Sequence, residues 1–278
     1  MKLRSTLFVV LVAIAALFFA ARAFACHKLQ TGIHGRPQST KTPQQYGAPY
    51  EELTFSSEGR ALKAFYVAPP APKNAGEKPV ALLIFHGNDE SIASWSPVLG
   101  YLYAHGLGSM VFDYSGFSHS EGTATVDHAR ADGIAAWNTF KAKLPAGTRA
   151  CGYGLSLGTG VLLEDAAKVQ PAPDCLVVYG AYTSLLSAGV RTHALPAWTK
   201  PLLPDALESE KNAAHLPAPL LVVHGDRDEK FPVEDGRAVA DAAHARLVVL
   251  PGFTHAQPLI KPDDAGWSDI VAFVRDGK

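Results

Sequence analysis

Six apolar residues follow one another at positions 80–85, a run that suits a strand buried on both faces of a sheet. Shorter, mostly apolar runs recur at 109–113, 175–179, 220–224 and 246–250. Between them lie longer stretches that read as helices, at 95–105, 126–140, 233–243 and 268–275. Upstream, the segments 52–55 and 62–67 flank Glu58-Gly59-Arg60 and predict an antiparallel hairpin. Continuous apolar strands alternating with helices predict an α/β fold: a mostly parallel sheet flanked by helices, with an N-terminal antiparallel hairpin. One stretch interrupts the alternation. Residues 183–219 are rich in Pro, Ala and Leu without a strong period, and predict a small lid-like insertion over the carboxyl ends of the strands, where open α/β sheets bind ligands.

The first residues follow another pattern. Lys2 and Arg4 precede an unbroken apolar run over 7–21, and Ala23-Phe24-Ala25 is a small-x-small sequence. The expectation is a secretory signal peptide over 1–25, with an uncleaved membrane anchor as the alternative. Cleavage after Ala25 would leave Cys26 first, an arrangement resembling bacterial lipoproteins, although Ala23 stands where those proteins prefer Leu. The protein is thus expected to be exported, periplasmic or envelope-associated, either soluble or lipid-anchored. Residues 26–49 predict a poorly ordered leader, and residues 50–278 the folded domain.

Composition narrows the classes. With 278 residues and 47% hydrophobic content the chain can bury one substantial core. A net charge of −1 gives no electrostatic case for nucleic-acid binding. The histidines show no metal-ligand spacing, so no metal or cofactor is expected. Cys151 and Cys175 fall in neighbouring strand segments; both are expected to be unpaired core thiols, with an export-compatible disulfide as the alternative.

Chemistry enters at Gly154-Leu155-Ser156-Leu157-Gly158, between a strand and a helix. A serine on so tight a turn is lifted clear of the sheet, and only small neighbours fit beside it. The N–H of Leu157 would open the helix and face a developing oxyanion. His86-Gly87-Asn88 ends an earlier strand and offers a second donor near Asn88. Asp113 to Phe117 reads as a structural turn. Downstream, His224-Gly225-Asp226-Arg227-Asp228 ends one strand and Gly252-Phe253-Thr254-His255 follows the last, giving the order serine, acid, histidine.

These motifs together resemble the α/β-hydrolase superfamily, and within it the small-lid serine hydrolases that include protein depalmitoylases and bacterial esterases. The resemblance implies Ser156 as nucleophile, Asp228 rather than Asp226 as acid, His255 as base, and Asn88 and Leu157 as oxyanion donors. It implies hydrolysis of carboxylic esters or thioesters of small acylated substrates, by a monomer. A serine peptidase or amidase on the same triad, or a non-catalytic envelope protein of this fold, are the alternatives. Where these relatives usually carry small residues after Asn88, this chain has Asp89 and Glu90. Two carboxylates there would disfavour anionic substrates if they face the site, and do nothing if they face solvent.

Overall fold

The computed structural model describes residues 2–35, 39–72 and 76–277. In chain order the elements are α1 (Lys2–Thr31), β1 (Glu51–Ser57), β2 (Arg60–Val67), β3 (Val80–Phe85), α2 (Ser96–Ala104), β4 (Gly108–Phe112), α3 (Val126–Lys143), β5 (Arg149–Leu155) and α4 (Leu157–Asp165). They continue with β6 (Cys175–Tyr179), α5 (Leu185–Arg191), α6 (Ser209–Ala213), β7 (Leu220–Gly225), α7 (Val233–Ala242), β8 (Arg246–Leu250), α8 (Gln257–Ile260) and α9 (Asp264–Asp276).

The strands form one eight-stranded sheet in the order β1-β2-β4-β3-β5-β6-β7-β8. The β1–β2 and β2–β4 pairs are antiparallel and every later pair is parallel. Side chains alternate across the pleat, so β3 serves two cores at once. Leu83 and Phe85 pack with Phe112, Trp137 of α3 and Val161 of α4 on one face. Leu82 and Ile84 pack with Trp95, Tyr153 and Trp267 of α9 on the other. This double coverage is why the strand has no polar position at all. Helix starts carry side-chain caps that satisfy otherwise orphaned N–H groups: Thr125 accepts from the His128 N–H at α3, and Asp263 from the Gly266 N–H at α9.

Two expectations are corrected here. Cys151 and Cys175 form a disulfide. The parallel register of β5 and β6 sets them directly opposite one another, with their Cα atoms 4.7 Å apart, inside the span a disulfide bridges. Strand pairing therefore brings these thiols together instead of keeping them apart. The second correction concerns the N-terminus. Helix α1 runs without a break past Ala25 to Thr31, and Ala25 and Leu29 are buried against Leu186, Leu195 and Leu203 of the 183–219 insertion. Ile33 enters the main core, and Pro43–Tyr46 forms a 3-10 turn packed on α2, where Tyr46 leaves no space for a side chain on Gly100. Much of the segment read as a loose leader is thus seated on the body, because its apolar residues at helical spacing find an apolar partner in the insertion.

Candidate active site

Each loop that carries a candidate site residue leaves the carboxyl end of a strand. At the end of β5, Ser156 has φ 51° and ψ −116°, a left-handed conformation that a residue with a side chain adopts only under constraint. The constraint is close packing. A Cβ on Gly158 would collide with the Phe85 carbonyl, and one on Gly154 would lie 2.7 Å from the Gly158 oxygen. The backbone N–H of Ser156 donates to the Tyr179 carbonyl at 3.1 Å, tying the turn to β6. Leu157 then opens α4, where its N–H has no carbonyl one turn earlier to bond.

The acid and the imidazole meet. His255 Nδ1 lies 2.7 Å from Asp228 Oδ2, with both side chains buried. Asp226, two residues earlier, instead accepts the Gly252 N–H at 2.6 Å and braces the turn that carries His255. Asp228 Oδ1 accepts the N–H groups of Lys230 and Phe231, each at 2.9 Å. Burial alone would raise the Asp228 carboxyl. Hydrogen bonds from His224 and His255, the charge of His255 and the Phe231 N–H outweigh it and hold the group well below the usual carboxylate range. The other ring nitrogen of His255, Nε2, is buried with no hydrogen-bond partner among the described residues. Ser156 Oγ forms no hydrogen bond to it in this structure.

The turn after β3 supplies the facing wall. Gly87 lies between Glu90 and the serine: an added Cβ would sit 2.8 Å from Glu90 Oε1 and 3.4 Å from Ser156 Cβ. Glu90 turns inward, its Oε2 accepting the Gly87 N–H and the Trp95 Nε1–H, each at 2.8 Å. Burial raises its pKa, and the nearby His86, the two hydrogen bonds and His255 only partly offset that. Asp89 goes the other way, half-exposed and 3.5 Å from His34 Nε2. Beneath the turn, buried His86 faces Asp113 at 3.4 Å, and Asp113 accepts the Ile92 N–H at 2.9 Å.

Asn88, Ser156 and Leu157 line a cavity of about 710 Å³. Its other walls are mixed: Leu29, Ile33, Leu185, Leu195 and Phe231 give an apolar part, and Lys28, Arg191, Glu229 and Lys230 add charge. Sequence reasoning missed the contribution of residues 28–34. The available signal was the pair Leu29 and Ile33, four apart, continuing the apolar run of α1. It also missed His224, whose ring stands 3.4 Å from Asp228, and Glu229, whose carboxylate accepts the His255 N–H at 3.1 Å. Among the described residues no cluster of His, Cys, Asp and Glu is arranged to hold a metal ion.

No protein-family model matches the chain. An uncharacterized protein of Mycobacterium tuberculosis is 32% identical over 209 residues, 73% of this chain and 71% of that one. Alpha/beta hydrolase domain-containing protein 17B of Homo sapiens is 28% identical over 196 residues, 67% of this chain and 62% of its own length. The esterase Pf2001 of Pyrococcus furiosus superposes with a TM-score of 0.68, covering 86% of this chain and 98% of that one at 19% identity, which speaks for the fold. This chain belongs to the α/β-hydrolase superfamily. The chain carries the expected mostly parallel sheet, antiparallel N-terminal hairpin and segment inserted between β6 and β7.

Proposed function

We propose that the protein is an exported serine hydrolase that cleaves carboxylic esters or thioesters with an apolar acyl group. The carrying observation is the buried His255–Asp228 contact, which leaves Nε2 of the ring unpartnered, together with the strained turn that holds Ser156 at the carboxyl end of β5. Asp228 fixes the imidazole with Nδ1 protonated, so Nε2 is the lone-pair nitrogen that accepts a proton. Ser156 Oγ carries no competing hydrogen bond among the described residues. In this reading it attacks the acyl carbon while its proton passes to Nε2.

The tetrahedral oxyanion is met by the N–H groups of Leu157, at the positive end of α4, and of Asn88, which bonds to nothing else among the described residues. Each such donor is worth about 3–4 kcal/mol of barrier. The imidazolium then protonates the departing alcohol or thiol, leaving an acyl-enzyme. Water attacks that ester as Nε2 takes its proton, and the same proton returns to Ser156 as the acid leaves. The apolar part of the cavity wall suits a hydrocarbon acyl group. Export is supported by the apolar N-terminal helix and by the disulfide, since such bonds persist in oxidising compartments.

The test is labelling by a fluorophosphonate probe together with turnover of p-nitrophenyl esters of graded chain length. Both are expected of the wild type and of neither Ser156→Ala nor His255→Ala. Labelling that survives in Ser156→Ala would overturn the reading.

A further inference from the structure

The cavity beside Ser156 and the apolar N-terminal helix are parts of one construction. Helix α1 has two regions of different character. Its described residues from Val10 to Phe24 are exposed, including Leu17, Phe18, Phe19 and Phe24. From Ala25 onward one face of the same helix, Ala25 and Leu29, is buried against the insertion, and Lys28, Leu29, Gly32 and Ile33 line the cavity. A segment removed as a signal peptide has no reason to be bolted to the enzyme, yet Arg22 Nε donates to the Leu202 carbonyl at 3.0 Å. That bond falls upstream of the Ala23-Phe24-Ala25 sequence. It joins the helix to the 3-10 turn Ala197–Leu202 of the insertion.

The uncharged stretch between Arg4 and Arg22 is 17 residues long. As helix it spans about 26 Å, slightly less than the roughly 30 Å hydrocarbon core, a deficit that arginines at both ends relieve by reaching toward the headgroups. The turn that Arg22 grips carries Trp198, 62% exposed. Indoles concentrate at the membrane–water boundary because one edge is apolar and the N–H needs a partner. An exposed Trp on the element that holds Arg22, the charge closing the uncharged stretch of α1, lies at the level where that boundary would fall.

We infer that α1 is retained as a membrane anchor, that the insertion docks on the same bilayer through Trp198, and that the cavity opens at the lipid surface. The substrate is then an acyl ester or thioester whose chain resides in the bilayer and reaches Ser156 past Leu29 and Ile33. The substrate half of this inference rests on the hydrolase reading; the docking half does not.

Fluorescence separates the two. Trp95, Trp137 and Trp267 are fully buried, leaving Trp198 as the one tryptophan that lipid can reach. The full chain is reconstituted in vesicles of phosphatidylcholine or of its dibromo analogue, and its N-terminus is sequenced. The expected result is an N-terminus upstream of Cys26 and emission quenched at least a third by brominated lipid, with the quenching gone in Trp198→Phe. Trp198→Ser is expected to lower turnover of a long-chain ester presented in vesicles severalfold, while hydrolysis of a soluble butyrate ester stays the same. A mature chain beginning at Cys26, acylated or free, overturns the inference. So does equal emission in the two lipids, as when a second copy or soluble partner covers Trp198. If the wild type turns over neither ester, the hydrolase reading fails while quenching still decides the docking.

Discussion

His34 and Asn88 hold each other twice: the His34 N–H donates to Asn88 Oδ1 at 2.7 Å, and Asn88 Nδ2 lies 3.0 Å from His34 Nδ1. The next residue joins in, with the Asp89 N–H donating to the His34 carbonyl at 2.9 Å. The segment after α1 thereby fixes the turn whose Asn88 N–H is proposed to meet the oxyanion. His34→Ala removes the ring contact and leaves the backbone bonds. With about 1 kcal/mol for the lost bond, kcat is expected to fall about fivefold with KM little changed. Steady-state kinetics on a soluble ester checks the split.

The two aspartates that follow His224-Gly225 are expected to separate cleanly. Asp228→Asn loses the charge that orients His255 and should lower kcat by about a thousandfold or more. Asp226→Asn keeps an acceptor for the Gly252 N–H and should stay within about threefold of the wild type. Comparable losses in both variants would assign the acid wrongly.

Asp228 also makes a pH prediction. Its folded pKa is depressed, so its contribution to stability is complete above the unfolded carboxyl value near 4 and is lost as pH falls toward the lower folded value. Urea midpoints of the wild type should therefore fall with acid below about pH 4, and the fall should be shallower in Asp228→Asn.

Glu90 acts with the opposite sign. Its folded pKa is raised, so the stability linked to it is complete below about pH 4 and declines as pH rises through the higher folded value. Glu90→Gln retains an acceptor for Gly87 and Trp95 without the charge, and is expected to flatten that decline. Because the carboxylate flanks Ser156 across Gly87, the same variant should narrow the preference for neutral over carboxylate-bearing esters, whereas half-exposed Asp89→Asn should leave it unchanged.

The disulfide closes a loop with a sequence separation of 24, for which the chain-entropy argument gives about 3 kcal/mol. The Cys151→Ala/Cys175→Ala double variant should lose unfolding free energy of that order, read as a lower urea midpoint. The wild type under reductant, once unfolded, should match it.

The sequence by itself determined the sheet, the strand-to-helix turn at Ser156 and the chain order of Ser156, Asp228 and His255. These are local facts: a strand buried on both faces must be apolar throughout, and a serine in a left-handed turn needs Gly154 and Gly158 beside it. Tertiary structure decided which partners meet. Asp226 and Asp228 are the same residue type two positions apart, and only the packing of the Gly252 turn sends one to a backbone N–H and the other to His255. Cys151 and Cys175 bond because the register of β5 and β6 sets them opposite, and register is a property of two strands together. Residues 26–34 read as leader, and Ala25 as the end of a signal peptide, because their apolar positions have no partner nearby in the chain. Their partners, Leu186, Leu195 and Leu203, lie more than 150 residues away, and only the fold carries one to the other.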